Sequence, residues 1–490
     1  MIDQHNDRSV NRRPHRTSDS QRPRAGSAHE HRGKACVRSD RSGRALRVLF
    51  VLAVPVVWAP ALAGQGHNPL DALVAEALRN NPVLAQERAS AARAAAEVRA
   101  ARGLMLPSLT LDSRYSEQSG TLNLGDFVNP AYTALNELSG TRQFPTDLDL
   151  TLPLRHESRL RLSQPLFDER IRNGHAAARH RSVAQDRQRQ AAARRLAAQV
   201  QTAWLEWAAS RRVVSVLEST LRLVSENERV TRRQVSAGTA TAEAEFRARA
   251  DGSEVEQQLA EAEETVAVAG RALNRLLGRS LDAPIEAIAD SLLCFELTMS
   301  EDSAVALALA RREELQQVGS AERAANAAVR AATGSLLPRV AVALDWGFQG
   351  NELSFTGDNE FWVASVVVSW NLFEGGRNLA VRQQAKADVE RARAAGREVE
   401  DAIRMDVRNA YRTARVARRS VQTAEERLRA AARTFELVRR RYDEGLASHI
   451  EFVAARTSLT AAELNRTLTE YRYFIEWVDF ERAAALRVVD

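Results

Sequence analysis

Apolar positions recur every seven residues over long stretches of this chain. Val407, Ala414, Val421, Leu428, Phe435 and Tyr442 fall on one line, and Ala410, Ala417, Ala424 and Ala431 fall on the alternate one. A seven-residue repeat with a line of alanines predicts a long helix packed closely against a neighbour. An earlier stretch follows the same rule, with Val200, Trp207, Val214 and Leu221 beside Ala203, Ser210, Leu217 and Val224. Between 170 and 236 there is no Pro, and Gly174 near the start is the only Gly. About 67 helical residues there would run roughly 100 Å, far longer than a globular domain needs. Shorter helices near 70–102 and 241–277 are expected on either side. Gly238 and Gly445 stand where each long helix must reverse, and glycine suits a left-handed cap.

The rest of the pattern has a period of two. Along 107–115, Leu109, Leu111 and Tyr115 alternate with Ser108, Thr110, Asp112 and Arg114, which predicts a strand. A second strand is expected near 159–167, with Leu160, Leu162 and Leu166 on one face. A Gly-, Asn-, Ser- and Thr-rich stretch carrying Phe127, Tyr132 and Phe144 reads as the loop between them. A later pair repeats the signal: Val340, Val342, Leu344, Trp346 and Phe348, then Trp362, Ala364, Val366, Val368, Trp370 and Leu372. Trp362 and Trp370 share a face eight residues apart, or roughly 27 Å along a strand. That is close to the spacing of the two aromatic girdles of an outer-membrane barrel. Four strands cannot close a barrel, and open edges are not tolerated in lipid, so closure demands several chains. A barrel of about twelve strands leaves an open lumen.

The order of elements occurs twice. Ala77-Leu78, Leu84, Val98-Arg99-Ala100-Ala101, Gly103 and Leu106-Pro107 return 231 positions later as Ala308-Leu309, Leu315, Val329-Arg330-Ala331-Ala332, Gly334 and Leu337-Pro338. Leu166-Phe167-Asp168 meets Leu372-Phe373-Glu374 at an offset of 206, which puts 25 extra residues into a loop of the first half. The expected organisation is an N-terminal extension with a signal peptide over 1–63, a first structural repeat over 64–290 and a second over 291–490. The fold class is mainly helical with membrane strands.

Composition narrows the function. Hydrophobic residues are 44% and charged residues 27%, too apolar for a disordered chain. Gly 23 and Pro 13 are too few for an all-β protein of tight turns. The formal charge of +6 comes from the first 63 residues, which hold 12 Lys and Arg against 5 Asp and Glu; the remainder carries 57 against 58. No basic body remains to bind nucleic acid. Arg44 and Arg47 precede the apolar run Val48–Trp58, and Ala61-Leu62-Ala63 follows it, the pattern of a secretory signal cleaved near Ala63. The two cysteines, Cys36 and Cys294, exclude a disulfide scaffold and a Cys-based zinc cluster. His175 and His180 are five apart and do not share a helix face. No Walker loop, nucleophile elbow or zinc signature occurs. No enzyme, cofactor or metal is expected.

Over about 68–487 the chain resembles the TolC-type outer-membrane efflux proteins. The resemblance rests on Ala77-Leu78 with Asn81-Pro82, the Leu106-Pro107 and Leu337-Pro338 strand entries, Leu372-Phe373-Glu374-Gly375-Gly376, and Arg441-Tyr442-x-x-Gly445 in duplicated order. It implies a homotrimer with a twelve-stranded barrel in the outer-membrane lipid and a helical tunnel in the periplasm. A periplasmic adaptor and an inner-membrane pump would dock on it, in efflux or type I secretion. It also implies a periplasmic mouth held nearly shut by acidic rings and hydrogen bonds at the hairpin ends. Aligned on Gly445, the family's tyrosine is Tyr442 and a constricting acid is Glu451, while a family arginine is Ala447 and a second acidic position is Ala454. Glu243 and Glu245, near Gly238, are replacement candidates; as first-turn glutamates they also suit the helix dipole. The rival to an exit duct is a periplasmic coiled-coil adaptor or scaffold, which would explain the helices but not the two strand pairs.

Overall fold

The computed structural model describes residues 70–117, 122–149, 151–152, 155–287 and 299–487. The expected leader over 1–63, its cleavage near Ala63, and Cys36 and Cys294 lie outside them. In chain order the elements are α1 (Leu70–Asn80), α2 (Pro82–Gly103), β1 (Ser108–Tyr115), β2 (Leu122–Asn123), α3 (Gly125–Ser139), β3 (Thr151–Leu152), β4 (His156–Phe167), α4 (Glu169–Ser236) and α5 (Ala242–Leu277). The second half follows as α6 (Glu301–Arg311), α7 (Glu313–Gly334), β5 (Arg339–Gly350), β6 (Glu360–Ser369), α8 (Arg377–Asp443) and α9 (His449–Ala483).

The long helices α4 and α8 run for 68 and 67 residues. α4 packs along α5 and α7, and α8 along α9, so each half is a hairpin of helices. The heptad lines predict which side of α8 is covered. Val407, Ala410, Ala414, Ala417, Ala424, Ala431 and Phe435 are all buried, with exposures of at most 9%. Small residues at that seam let the backbones approach, so a larger side chain has nowhere to go. Changing Ala417 or Ala424 to Leu is expected to cost about 1–3 kcal/mol each through overpacking. Thermal melting of the purified protein checks this, and unchanged melting for both variants would show that the seam is loose.

Two cores repeat the duplication. In the first, Leu70, Val74 and Ala77 of α1 pack with Val200, Trp204 and Leu205 of α4 and Leu273 and Leu277 of α5. In the second, Ala304, Val305 and Ala308 of α6 pack with Ile403, Val407 and Ala410 of α8 and Phe480 of α9. Ala77 and Ala308, paired by the sequence repeat, are both fully buried.

The flanking helix expected over 70–102 is two helices. Asn81 has extended backbone, φ −66° and ψ 126°, and its side chain accepts from the N–H groups of Val83 and Leu84. The following proline disfavours helical backbone at Asn81, and the asparagine side chain caps the helix that begins there. The second half breaks at the same place without a proline. Arg312 takes φ −61° and ψ 128°, and its guanidinium donates to Glu314 and to Asp406, each at 2.7 Å. The stretch between β1 and β4 also differs from the expected loop. Fifteen of its residues form α3, whose side chains Asn129 and Asn136 hold the returning chain by bonds to Leu148 and Phe144, while Tyr132 packs on Phe144. Polar composition concealed a helix that is stabilised by side-chain amides rather than by a buried apolar face.

The four long strands form one antiparallel sheet in the order β1-β4-β5-β6, so the strand pairs of the two halves join at β4 and β5, while the short β2 and β3 pair only with each other. Both long helices start just after a strand of this sheet and end in a hairpin turn. The sheet and the turns are therefore separated by the helix length, roughly 100 Å.

Candidate functional site

Two regions carry the functional candidates: the hairpin turns and the sheet. At the turns, Gly238 and Gly445 have φ of +76° and +75°. A side chain would be strained at either position. Each glycine closes its helix with the same pair of bonds. The N–H of Gly238 donates to Val235 and that of Thr239 to Gln234; the N–H of Gly445 donates to Tyr442 and that of Leu446 to Arg441. This arrangement satisfies the last carbonyls and reverses the chain.

Beyond Gly445 the chain re-enters a helix through a capping box. The Ser448 side chain accepts from the Glu451 N–H, and the Glu451 carboxylate accepts from the Ser448 N–H at 2.7 Å. Two backbone donors at the helix start are thereby satisfied reciprocally. The bond from the Ser448 N–H, followed by that from its hydroxyl, holds the Glu451 carboxyl below its ordinary range. Hydrogen bonds to the charged form keep it ionised as pH falls into the upper carboxylate range. Glu451 is exposed. Tyr442 turns inward instead. Its ring stacks on Phe452 with centroids 4.7 Å apart, and burial pushes its hydroxyl up from the usual tyrosine value despite a hydrogen bond with Thr231 of α4. Its oxygen lies 3.5 Å from His449 Nδ1, and His449 Nε2 lies 4.0 Å from Asp251 of α5. Burial holds the His449 imidazole below its ordinary range, against the pull of Asp251.

The structure thus joins Tyr442 to the neighbouring hairpin and leaves Glu451 on the surface of its own. Glu243 and Glu245 sit in the first turn of α5, and each has an arginine partner, Arg247 and Arg232 respectively. His449, Asp251 and Thr231 were missed from the sequence, where nothing marks residues on three different helices as neighbours. The Ser448-x-x-Glu451 spacing is itself a capping-box signal in the sequence.

The sheet has two unlike faces. On one, Leu109 and Leu111 of β1, Leu162 of β4, Leu344 and Trp346 of β5, and Trp362, Val366 and Val368 of β6 are all exposed. Trp346 and Trp362 sit side by side in register, and Trp370, 57% exposed, follows one residue after β6 ends. An exposed apolar area of this extent is not tolerated in water and marks contact with lipid or protein. On the other face, charges pair across strands. Arg114 meets Glu157 at 3.2 Å, Arg159 lies 3.9 Å from Asp112, and Arg161 donates twice to Asp345, at 2.6 and 2.8 Å. β6 breaks the alternation, since Val363 and Val367 are also exposed on this polar side. Among the described residues no helix is long and apolar enough to cross a membrane, and no cluster of His, Cys, Asp and Glu is set to hold a metal.

Known proteins match this architecture. The toluene efflux pump outer membrane protein TtgC of Pseudomonas putida is 23% identical over 274 residues, covering 55% of this chain and 56% of TtgC. The matched segment thus spans about half the length of such relatives. The crystal structure of CusC superposes with a TM-score of 0.72 at 20% identity, over 85% of this chain and 92% of CusC. VceC from Vibrio cholerae superposes with a TM-score of 0.70 at 20% identity, over 85% and 95%. At these identities the superpositions speak to the fold. The family model for outer membrane efflux proteins matches residues 73–279 and again 304–485, most of the chain in two successive segments. With its duplicated hairpins and its two-faced sheet, the chain belongs to the outer membrane efflux protein family.

Proposed function

We propose that three copies of this chain form an outer-membrane exit duct, the last element of a tripartite efflux or type I secretion assembly. The observation that carries this reading is the sheet. It has one apolar face, one charged face and, among the described residues, two unpaired edges, β1 and β6. Pairing β1 of one copy with β6 of the next satisfies both edges, and three copies supply twelve strands around an open lumen. The apolar face then meets lipid, with Trp362 and Trp370 near its two boundaries, and the paired charges line the lumen. The helices continue the wall into the periplasm, and a periplasmic adaptor and an inner-membrane pump dock at the hairpin end. Passage is passive, with no catalytic step of the duct's own. A periplasmic scaffold would leave the apolar sheet face without a role. Residues 1–63 act as an export leader, and 64–290 and 291–490 as the two repeats. Purified protein in a planar bilayer should give discrete conductance steps; a protein that inserts without conducting would contradict the duct.

The mouth at the hairpin end is narrowed by a ring of three Glu451 carboxylates, with Glu243 and Glu245 on the adjacent hairpin largely answered by arginine. Symmetry adds the fields of the three acids where the lumen is narrowest. Glu451→Gln removes the charge but keeps the capping box, since glutamine also serves at that position. Block by a trivalent cation added at the periplasmic side should weaken by at least tenfold in this variant, with conductance and assembly intact. Equal block in both proteins would place the ring elsewhere. The depressed carboxyl pKa fixes the sign with pH. Block persists above the ordinary carboxylate range and is lost only as pH falls through the lowered value.

A further inference from the structure

A cavity of about 250 Å³ opens where the sheet meets the helices, between the start of β5, the end of β6, the end of α7 and the start of α8. Three arginines line it, Arg170, Arg339 and Arg377, with Glu374 the only acid. Ser335, Ser369 and Asn378 add neutral hydrogen-bonding groups. Arg170 is held by Asp168 at 3.0 Å, and Arg377 lies 3.5 Å from Glu374. Arg339, opposite Ser369 in the β5–β6 register, has no carboxylate partner among the described residues. The cavity therefore keeps one uncompensated guanidinium flanked by two more.

Two apolar residues, Leu337 and Val381, line the same cavity. Arg339 and Ser369 stand on the charged face of the sheet, since the neighbouring pair Val340 and Val368 lies on the apolar one. Guanidinium groups bind phosphate oxygens by paired, charge-assisted hydrogen bonds.

We propose that this cavity binds a phosphate group, with Arg339 as the principal contact and Arg170 and Arg377 beside it. A free phosphate and the phosphate of a lipid headgroup share this chemistry. The site rests on the reading of the sheet as membrane-embedded, so wild-type conductance is recorded alongside to separate failure of the site from failure of the duct.

The test compares the purified oligomer with its R339Q and R377Q variants, the second guarding against a folding defect peculiar to the first. Phosphatidylglycerol retained from nanodiscs is counted by native mass spectrometry, and inorganic phosphate binding is measured by calorimetry. At least a tenfold loss of retained phosphatidylglycerol in R339Q, with a smaller loss in R377Q, supports the site with lipid as its source. Phosphate binding to wild type, at least tenfold weaker in R339Q and with lipid retention equal, supports it with a free anion as the source. Equal lipid retention and no phosphate binding in all three proteins, with conductance unchanged, overturns the site and leaves the duct standing.

Discussion

Replacing Glu313 with leucine is expected to destabilise the protein by about 3–5 kcal/mol, the cost of leaving a buried charge without its partner. Arg194 of α4 donates to Glu313 of α7 through Nε at 3.0 Å and Nη2 at 2.7 Å, and both side chains are 9% exposed. Once Glu313 is gone, the guanidinium keeps, among the described residues, the Arg487 carbonyl. The pair ties the first half of the chain to the second and to the segment after α9, so the loss should lower the melting temperature of the whole protein. A double variant, Arg194→Met with Glu313→Leu, should recover most of it, because removing both charges also removes their desolvation cost. A single-variant cost under about 1 kcal/mol would match an exposed ion pair and contradict the buried assignment.

Trp204→Ala should cost a similar amount, about 3–5 kcal/mol, for a different reason. Trp204 is fully buried in the cluster that joins α1, α4, α5 and α9, beside Trp207 at 6.4 Å. Truncation opens a cavity that long, rigid helices cannot collapse to fill. Trp204→Phe separates packing from polarity. The indole N–H has no hydrogen-bond partner among the described residues, so phenylalanine gives up volume but also relieves an unmet donor. Its cost should be well below that of alanine in the same melting experiment. If phenylalanine and alanine cost the same, the site does not depend on filling the space.

The long helices were legible because a seven-residue repeat over so many turns has one physical solution. The strands were legible because Leu109, Leu111 and Leu162 alternate with polar and charged residues. The internal repeat made each half a check on the other. Where reading failed, the decisive contacts were either local exceptions or distant in sequence. Asn81 breaks a helix by a cap and a proline, both visible, whereas Arg312 makes the same break through ion pairs to Glu314 and to Asp406, the latter far along the chain. α3 hides in a polar stretch because Asn129 and Asn136 hold it together. At the hairpin end, the glycines and the exposed Glu451 could be anticipated. The inward turn of Tyr442 toward Thr231 and His449 depends on helix packing that no local pattern records. Arg194 and Glu313 are 119 positions apart, and only the fold makes them a pair.

The central claim is that four strands per chain close a barrel between three copies. Outer membranes carrying the protein, run on electrophoresis in mild detergent before and after heating, test it most directly. The account predicts a band at three chains that collapses to one chain on heating, with native mass spectrometry of the unheated species giving three copies. A single-chain species in unheated outer membranes, or any stable assembly whose copy number is not three, would contradict it.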